Sequence, residues 1–168
     1  ESWRYRSNPF VGTRELNGLK VMIMLLSNWD SKDQEKSSRG SNTKIFIVNT
    51  RAATERRFVV TDWGGSMGKW GGVLSREKWD CNGYEDQSKD FVKGVENGEV
   101  KWGYSGQHTD AIRDGIPVAH VHWLLGYLGR LTDEQIRVAL KASGASPGEQ
   151  DCFARAVRMR ISELQRLR

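Results

Sequence analysis

The run Val21-Met22-Ile23-Met24-Leu25-Leu26 is the longest apolar stretch of this 168-residue chain, and it closes a helical pattern. Thr13 is placed to cap that helix, and Leu16 and Leu19 begin its apolar face before the face becomes continuous. A helix that is apolar all round must be surrounded by protein, so the remaining elements have to wrap about this one. The run falls well short of the ~20 residues that cross a bilayer, which makes it a core helix and leaves no membrane span. It stops abruptly at Asn28-Trp29-Asp30-Ser31-Lys32-Asp33, so a polar, chemically capable segment sits at the end of a buried rod.

Around that rod the chain divides into recognisable pieces. Lys36 to Thr43 is a Ser/Gly-rich loop without an apolar anchor. Lys44 to Asn49 and Arg57 to Thr61 are rich in β-branched and aromatic residues and predict two strands, joined by a seven-residue link from Thr50 to Arg56 as a hairpin. Gly64, Gly65, Gly68, Gly71 and Gly72 then break the pattern so often that an irregular, closely approached loop is expected. Ser75 to Gly115 reads as irregular, with at most a short element around Asp90 to Val95. After Pro117 the helical signal returns. His120 to Leu131 is strongly apolar, Thr132 with Gln135 forms a capping box, and Gly144 ends the helix that follows. Ser146-Pro147-Gly148-Glu149 caps a last helix running to about Leu167. There is no internal repeat. The expectation is a single domain over residues 1–168, mainly α with a small β-hairpin, whose helical part spans 117–168.

The bulk numbers narrow the classes. With 38% apolar and 28% charged residues the chain is long enough for one real core and matches neither disordered nor membrane composition. It opens on Glu1 without a signal-peptide pattern, which suggests a piece trimmed or excised from something longer and leaves its compartment unread. Cys81 and Cys152 lie far apart outside any C-x-x-C, so a single disulfide and two free thiols are both open. Two cysteines and three histidines without ligand spacing argue against a structural zinc site. His120 and His122 are two apart on a helix and face different sides. The net charge of +5 favours anionic partners, although Arg155, Arg158, Arg160, Arg166 and Arg168 also suit the C-terminal end of a helix dipole.

Two aspartates carry the chemistry. Asp30 follows the core helix; Asp62 follows a strand and precedes Gly64-Gly65. Phosphoryl transfer needs one carboxylate at the acceptor hydroxyl, a cation for the transferring phosphate and a second carboxylate for magnesium. Asp30, Lys32 and Asp62 are those types in that order, with Glu35 able to serve as a further metal ligand. Trp29, Trp63 and Trp70 are placed either to line a ligand site or to pack.

Set beside the H-R-D-x-x-x-x-N and D-F-G loops of protein kinases, Asn28-Trp29-Asp30-Ser31-Lys32 and Asp62-Trp63-Gly64 resemble both without matching either. Asn28 and Trp29 replace the His-Arg pair, Glu35 replaces the asparagine, and Trp63 replaces the phenylalanine. A closer likeness is to a bacterial protein family of unassigned activity with NPF-x-GTRE-x-NGLK, NWD-x-KD and D-x-G motifs, here Asn8 to Lys20, Asn28 to Asp33 and Asp62 to Gly68. The kinase resemblance implies the C-terminal lobe of an atypical phosphotransferase. Asp30 and Lys32 would be catalytic, Asp62 and Glu35 would hold magnesium, ATP would need a further N-terminal lobe, and this chain alone would be inactive. The glycine-rich G-x-G-x-x-G loop is absent from the sequence. The competing expectations are a non-catalytic kinase-like binding module and a basic helical nucleic-acid binder built from residues 117–168.

Overall fold

The structure, a computed structural model, describes residues 1–33, 40–72, 74–106 and 108–168. In chain order the elements are α1 (Arg14–Leu25), β1 (Lys32–Asp33), β2 (Gly40–Ser41), β3 (Thr43–Asn49), β4 (Thr54–Val60), α2 (Cys81–Ser88), β5 (Val92–Glu96), β6 (Glu99–Trp102), α3 (Asp110–Arg113), α4 (Val118–Leu128), α5 (Asp133–Ala142) and α6 (Pro147–Gln165). Among the described residues, three antiparallel two-stranded sheets, β1–β2, β3–β4 and β5–β6, lie among six helices. This is a mixed α/β domain. The expectation of a mainly α fold with one hairpin, resembling a kinase-like C-terminal lobe, is therefore corrected.

The correction comes largely from Ser75 to Gly115, which holds α2, β5, β6 and α3 where at most a short element around Asp90 to Val95 is expected. Asn97-Gly98 is a two-residue turn with φ of 53° and 77°, the left-handed pair that closes a hairpin with the right twist, and it joins β5 to β6. Asp80 caps α2 by accepting from the Gly83 amide at 3.1 Å. Neither Gly83 nor the polar composition of that helix recommends it, so tertiary bonds decide its existence. The first hairpin is also longer than its composition suggests. β3 and β4 pair from Thr43↔Val60 to Asn49↔Thr54, so the expected seven-residue link shrinks to a turn in which the Thr50 amide donates to the Ala53 carbonyl.

As its composition demands, α1 is buried: Val21, Ile23 and Met24 are fully enclosed. Its docking explains the N-terminal motif. Thr13 accepts from the Leu16 amide as N-cap. The Asn17 side-chain amide lies 2.9 Å from His120 Nδ1 and donates to the Gly115 carbonyl. A Cβ on Gly18 would come within 2.8 Å of the Trp123 ring, so only glycine lets α4 approach this closely. Lys20 is buried, donates to the Asp114 carbonyl at 2.6 Å, and is pulled down to about 8 by that burial. These residues join helices and do not meet at a site.

The centre of the molecule is Arg160 of α6, which is fully buried. Its guanidinium donates to the Met24 and Leu25 carbonyls at the end of α1, to the Tyr84 carbonyl in α2, and to the Ser27 and Ser88 hydroxyls. Its Cζ lies 3.6 Å from the Tyr84 ring centroid and 4.8 Å from that of Trp70. Burial holds its pKa down near 10, which leaves it cationic at neutral pH. The C-terminal end of α1 points two carbonyls at this cation and a carbonyl from within α2 supplies a third, so main-chain dipoles provide the negative charge that a carboxylate would otherwise bring. Of the remaining arginines in this helix, Arg155 faces Glu85, Arg158 bonds Asp133 and the Leu131 carbonyl, and Arg166 pairs with Glu163. Arg160 is thus a core residue, whereas Arg155, Arg158 and Arg166 make their pairs at the surface.

A Cys81–Cys152 disulfide ties the start of α2 to α6, resolving the alternatives left by the spacing. Among the described residues no helix is long and apolar enough to cross a membrane.

Two stability outcomes follow from this core. Replacing Arg160 with Met removes the donor shared by the Met24, Leu25 and Tyr84 carbonyls and the Ser27 and Ser88 hydroxyls, while each carbonyl keeps a second donor (the Ser27 amide, the Tyr84 hydroxyl and the Ser88 hydroxyl), and we expect a loss of about 3 kcal/mol. That corresponds to a fall on the order of 10 °C in the calorimetric midpoint. Reduction of the disulfide, with its sequence separation of 71, is expected to cost about 2–4 kcal/mol, read as a drop in urea midpoint when dithiothreitol is added.

Candidate active site

The site begins where α1 ends. Past Leu25 the chain leaves the helix through Leu26 and Ser27, the latter at φ 52°, and Arg160 holds both the last carbonyls of α1 and the Ser27 hydroxyl. Asn28 follows, fully buried, with its carbonyl accepting from the Tyr104 hydroxyl. Its carboxamide faces two ways. The Nδ2 group donates to the Asp62 carbonyl at 2.9 Å, and Oδ1 accepts from the Asp30 amide at 3.3 Å. One side chain therefore fastens the Asp62 loop to the Asp30 loop. The two segments are 32 residues apart in the sequence and adjacent in space.

Further contacts close the same junction. The Thr61 amide donates to the Asn42 carbonyl at 2.9 Å, and Asn42 Nδ2 donates to Asp30 Oδ2 at 2.8 Å. A Cβ built on Gly65 would lie 3.3 Å from the Asp30 Cβ and 3.6 Å from the Trp29 ring, so the glycine loop lies flat against the Asn28–Asp30 turn. The Met67 amide donates to the Leu26 carbonyl at 2.8 Å, which pins the far end of that loop to α1.

Each carboxylate keeps one oxygen uncommitted among the described residues. Asp30 is half-buried, with Oδ2 on Asn42. Asp62 is exposed, with Oδ1 accepting from its own loop's Gly64 amide at 2.7 Å, a local turn that orients the group without sealing it from solvent. Lys32 is half-buried beside Asp30. Its pKa is lowered chiefly by desolvation and secondarily by the Arg76 charge, while Asp30 opposes the shift. Arg76 stacks over Trp29 at 4.3 Å, and Trp29 Nε1 donates to the Glu77 carbonyl at 3.0 Å. The locality thus holds two carboxylates and two cations.

Not every expected residue joins it. Glu35 lies outside the described residues. Trp70 is buried against Tyr104 and Arg160 and belongs to the core. Trp63 is 37% exposed and does reach a cavity wall. Asp33, the last residue of the NWD-x-KD motif, is a structural anchor. It is buried and accepts from the Tyr5 and Arg6 amides at 2.8 and 3.2 Å, which fixes the N-terminal segment. His120 and His122 have separate partners, Asn17 and the Leu167 carbonyl. Asn42 and Arg76 carry no motif spacing, and only the folded chain places them here.

Among the described residues no group of three or more His, Cys, Asp or Glu side chains gathers to hold a metal ion. Magnesium asks for less. It commonly keeps several waters and takes one or two carboxylates together with substrate phosphates. The uncommitted oxygen of exposed Asp62 is a donor of that kind. Compared with protein-family models, curated proteins and solved structures, the chain gives no match, so the reading of this site rests on its own residues.

The junction predicts its own sensitivity. Asn28→Ala removes both bonds and leaves the Asp62 carbonyl unpaired, at a cost of about 1–3 kcal/mol. Hydrogen exchange should accelerate at the Asp30, Gly64 and Met67 amides while α5 amides stay at their wild-type rates. Uniform acceleration throughout the chain would instead assign Asn28 a global role.

Proposed function

We propose that this junction is a phosphoryl-transfer site that works with magnesium and a nucleoside triphosphate such as ATP. The observation that carries the reading is the Asn28 carboxamide, which sets the Asp30 and Asp62 loops side by side, with Lys32 close to Asp30 and Arg76 stacked on Trp29 within reach of Lys32. Asp62 would hold magnesium, and that ion would supply charge neutralisation to the nucleotide's phosphates. Asp30 takes the proton of the acceptor hydroxyl. The acceptor oxygen forms a bond to the γ-phosphorus, the bridging bond to the β-phosphate breaks, and the nucleoside diphosphate leaves with the electron pair. Lys32 offsets charge on the equatorial oxygens as they shift. Its lowered pKa reflects a partly dehydrated setting, in which such an interaction is stronger than in bulk water.

A second reading has an observation in its favour. Asp62 already spends one oxygen on the Gly64 amide, the behaviour of an ordinary turn, and the motif's His-Arg pair is replaced by Asn28-Trp29. On that reading the domain binds an anionic partner through Lys32 and Arg76 and transfers nothing.

The need for a further lobe belongs to the kinase-like fold that the three sheets correct, so titration calorimetry of the full chain with ATP, with and without magnesium, separates the two. Phosphoryl transfer predicts magnesium-dependent binding that Asp62→Asn weakens about tenfold or more, a loss on the order of 1.4 kcal/mol. Asp30→Asn should preserve that affinity while slowing transfer by roughly 10²–10⁴-fold, the usual worth of a general base. Binding that ignores magnesium and survives both substitutions would leave the anion-binding reading in place.

A further inference from the structure

Between α1, the 63–67 loop and the C-terminal helices lies a cavity of about 580 Å³ that the acidic junction does not use. Its walls include Leu26, Met67, Leu128, Ile136, Leu140 and Ile161, drawn from α1, the glycine loop and α4 to α6. Trp63 and Trp79 stand on its lining, and each is 37% exposed, an unusual state for two indoles in one place. Ser66 also lines it, and its hydroxyl is buried without a hydrogen-bond partner among the described residues. That hydroxyl is closed off from the cavity as well as from solvent, so the wall is essentially apolar. The volume and the apolar lining fall in the range of small-molecule sites.

We infer that this cavity holds the aliphatic chain of an amphiphilic ligand, with a polar head emerging at Trp63 and Gly64. Gly64 lines the cavity, and its amide donates to Asp62 Oδ1, so the chain site and the acidic junction share one loop. Gly65, the next residue, faces Asp30. On the phosphoryl-transfer reading, which this step rests on, the ligand is the acceptor. The chain is buried in the cavity, and a hydroxyl at its head is presented to Asp30 and Lys32. Apolar contact along the chain supplies affinity, and the junction supplies the chemistry.

The probe is 11-(dansylamino)undecanoic acid, titrated into the full chain with its disulfide intact and followed by dansyl emission, with dodecan-1-ol as competitor. Ala139 lines the cavity from the exposed side of α5, so Ala139→Phe fills it and Ala139→Asp charges it without disturbing the core. The expected result is saturable one-to-one binding, displaced by dodecan-1-ol and weakened about tenfold or more by either substitution, the equivalent of denying the ligand two methylenes. Val138→Asp, exposed on the same helix and outside the cavity lining, should bind as wild type. Absent binding, or binding indifferent to both Ala139 variants, overturns the inference. So does a wild-type dimer in sedimentation that Ala139→Asp dissolves, since the cavity would then be covered by a second copy. Probe binding that persists in Asp30→Asn, in a chain that fails to bind magnesium nucleotide, upholds the chain site and removes only the phosphoryl-transfer reading.

Discussion

Everything in this molecule is arranged around a cation placed where cations rarely go. Arg160 has no carboxylate beside it, yet it is satisfied by three main-chain carbonyls and two hydroxyls, with aromatic faces stacked about it. Two of the carbonyls belong to the last turn of α1 and one to the body of α2, so the charge does for α1 what a C-terminal cap does and ties that end to α2. Such a residue defines an angle. It fixes the end of α1 against α2 and α6, and the disulfide between Cys81 and Cys152 fixes the same two partners covalently nearby. The direction in which the chain leaves α1 is thereby determined.

That exit direction is what makes a site. Ser27, bonded to Arg160, turns with a positive φ, and Asn28 is delivered buried, its carboxamide reaching one loop on each side. A long-range constraint in the core thus becomes a short-range one at the surface, where two acidic loops lie together. The loops need glycine for this. A side chain at Gly65 would press on Asp30 and Trp29, and one at Gly68 would come within 2.3 Å of the Glu77 carbonyl. The flatness of the 64–68 segment is therefore a packing requirement. The apolar cavity on the other side of this segment shares the requirement, because Gly64, Ser66 and Met67 form part of its wall.

Much of this was legible before any coordinates, and the failures have identifiable causes. Caps announce themselves locally: Thr13, Thr132 and Ser146 each start a helix as their side chains dictate, and both capping boxes form. The continuous apolar run of α1 announced burial correctly. The β5–β6 hairpin is legible only in part, as a short element around Asp90 to Val95: Asn97-Gly98 signals its turn and Glu99 to Trp102 alternates, but Gly94 and the register shift beside it break the pattern of β5. The α2 helix was not legible at all. Its composition is poor for a helix, and it stands on Asp80, Tyr84, Ser88 and a disulfide whose partner is 71 residues away. In the site, Asp30, Lys32 and Asp62 could be picked out by type and order, whereas Asn42 and Arg76 are brought in by tertiary structure alone. Asn28 was visible as a departure from a motif, but its role as the tie between loops emerges only from its two hydrogen bonds.

The most direct test of the central claim is paramagnetic. With the chain isotopically labelled, manganese(II) can be added in place of magnesium together with ATP, and the broadening of each amide resonance measured. If the Asn28 junction gathers Asp30 and Asp62 about a metal–phosphate group, broadening is strongest at Asp30, Asp62, Gly64 and Gly65 and fades along α5 and the β3–β4 hairpin. Broadening centred elsewhere, or the same pattern with and without the nucleotide, would contradict it.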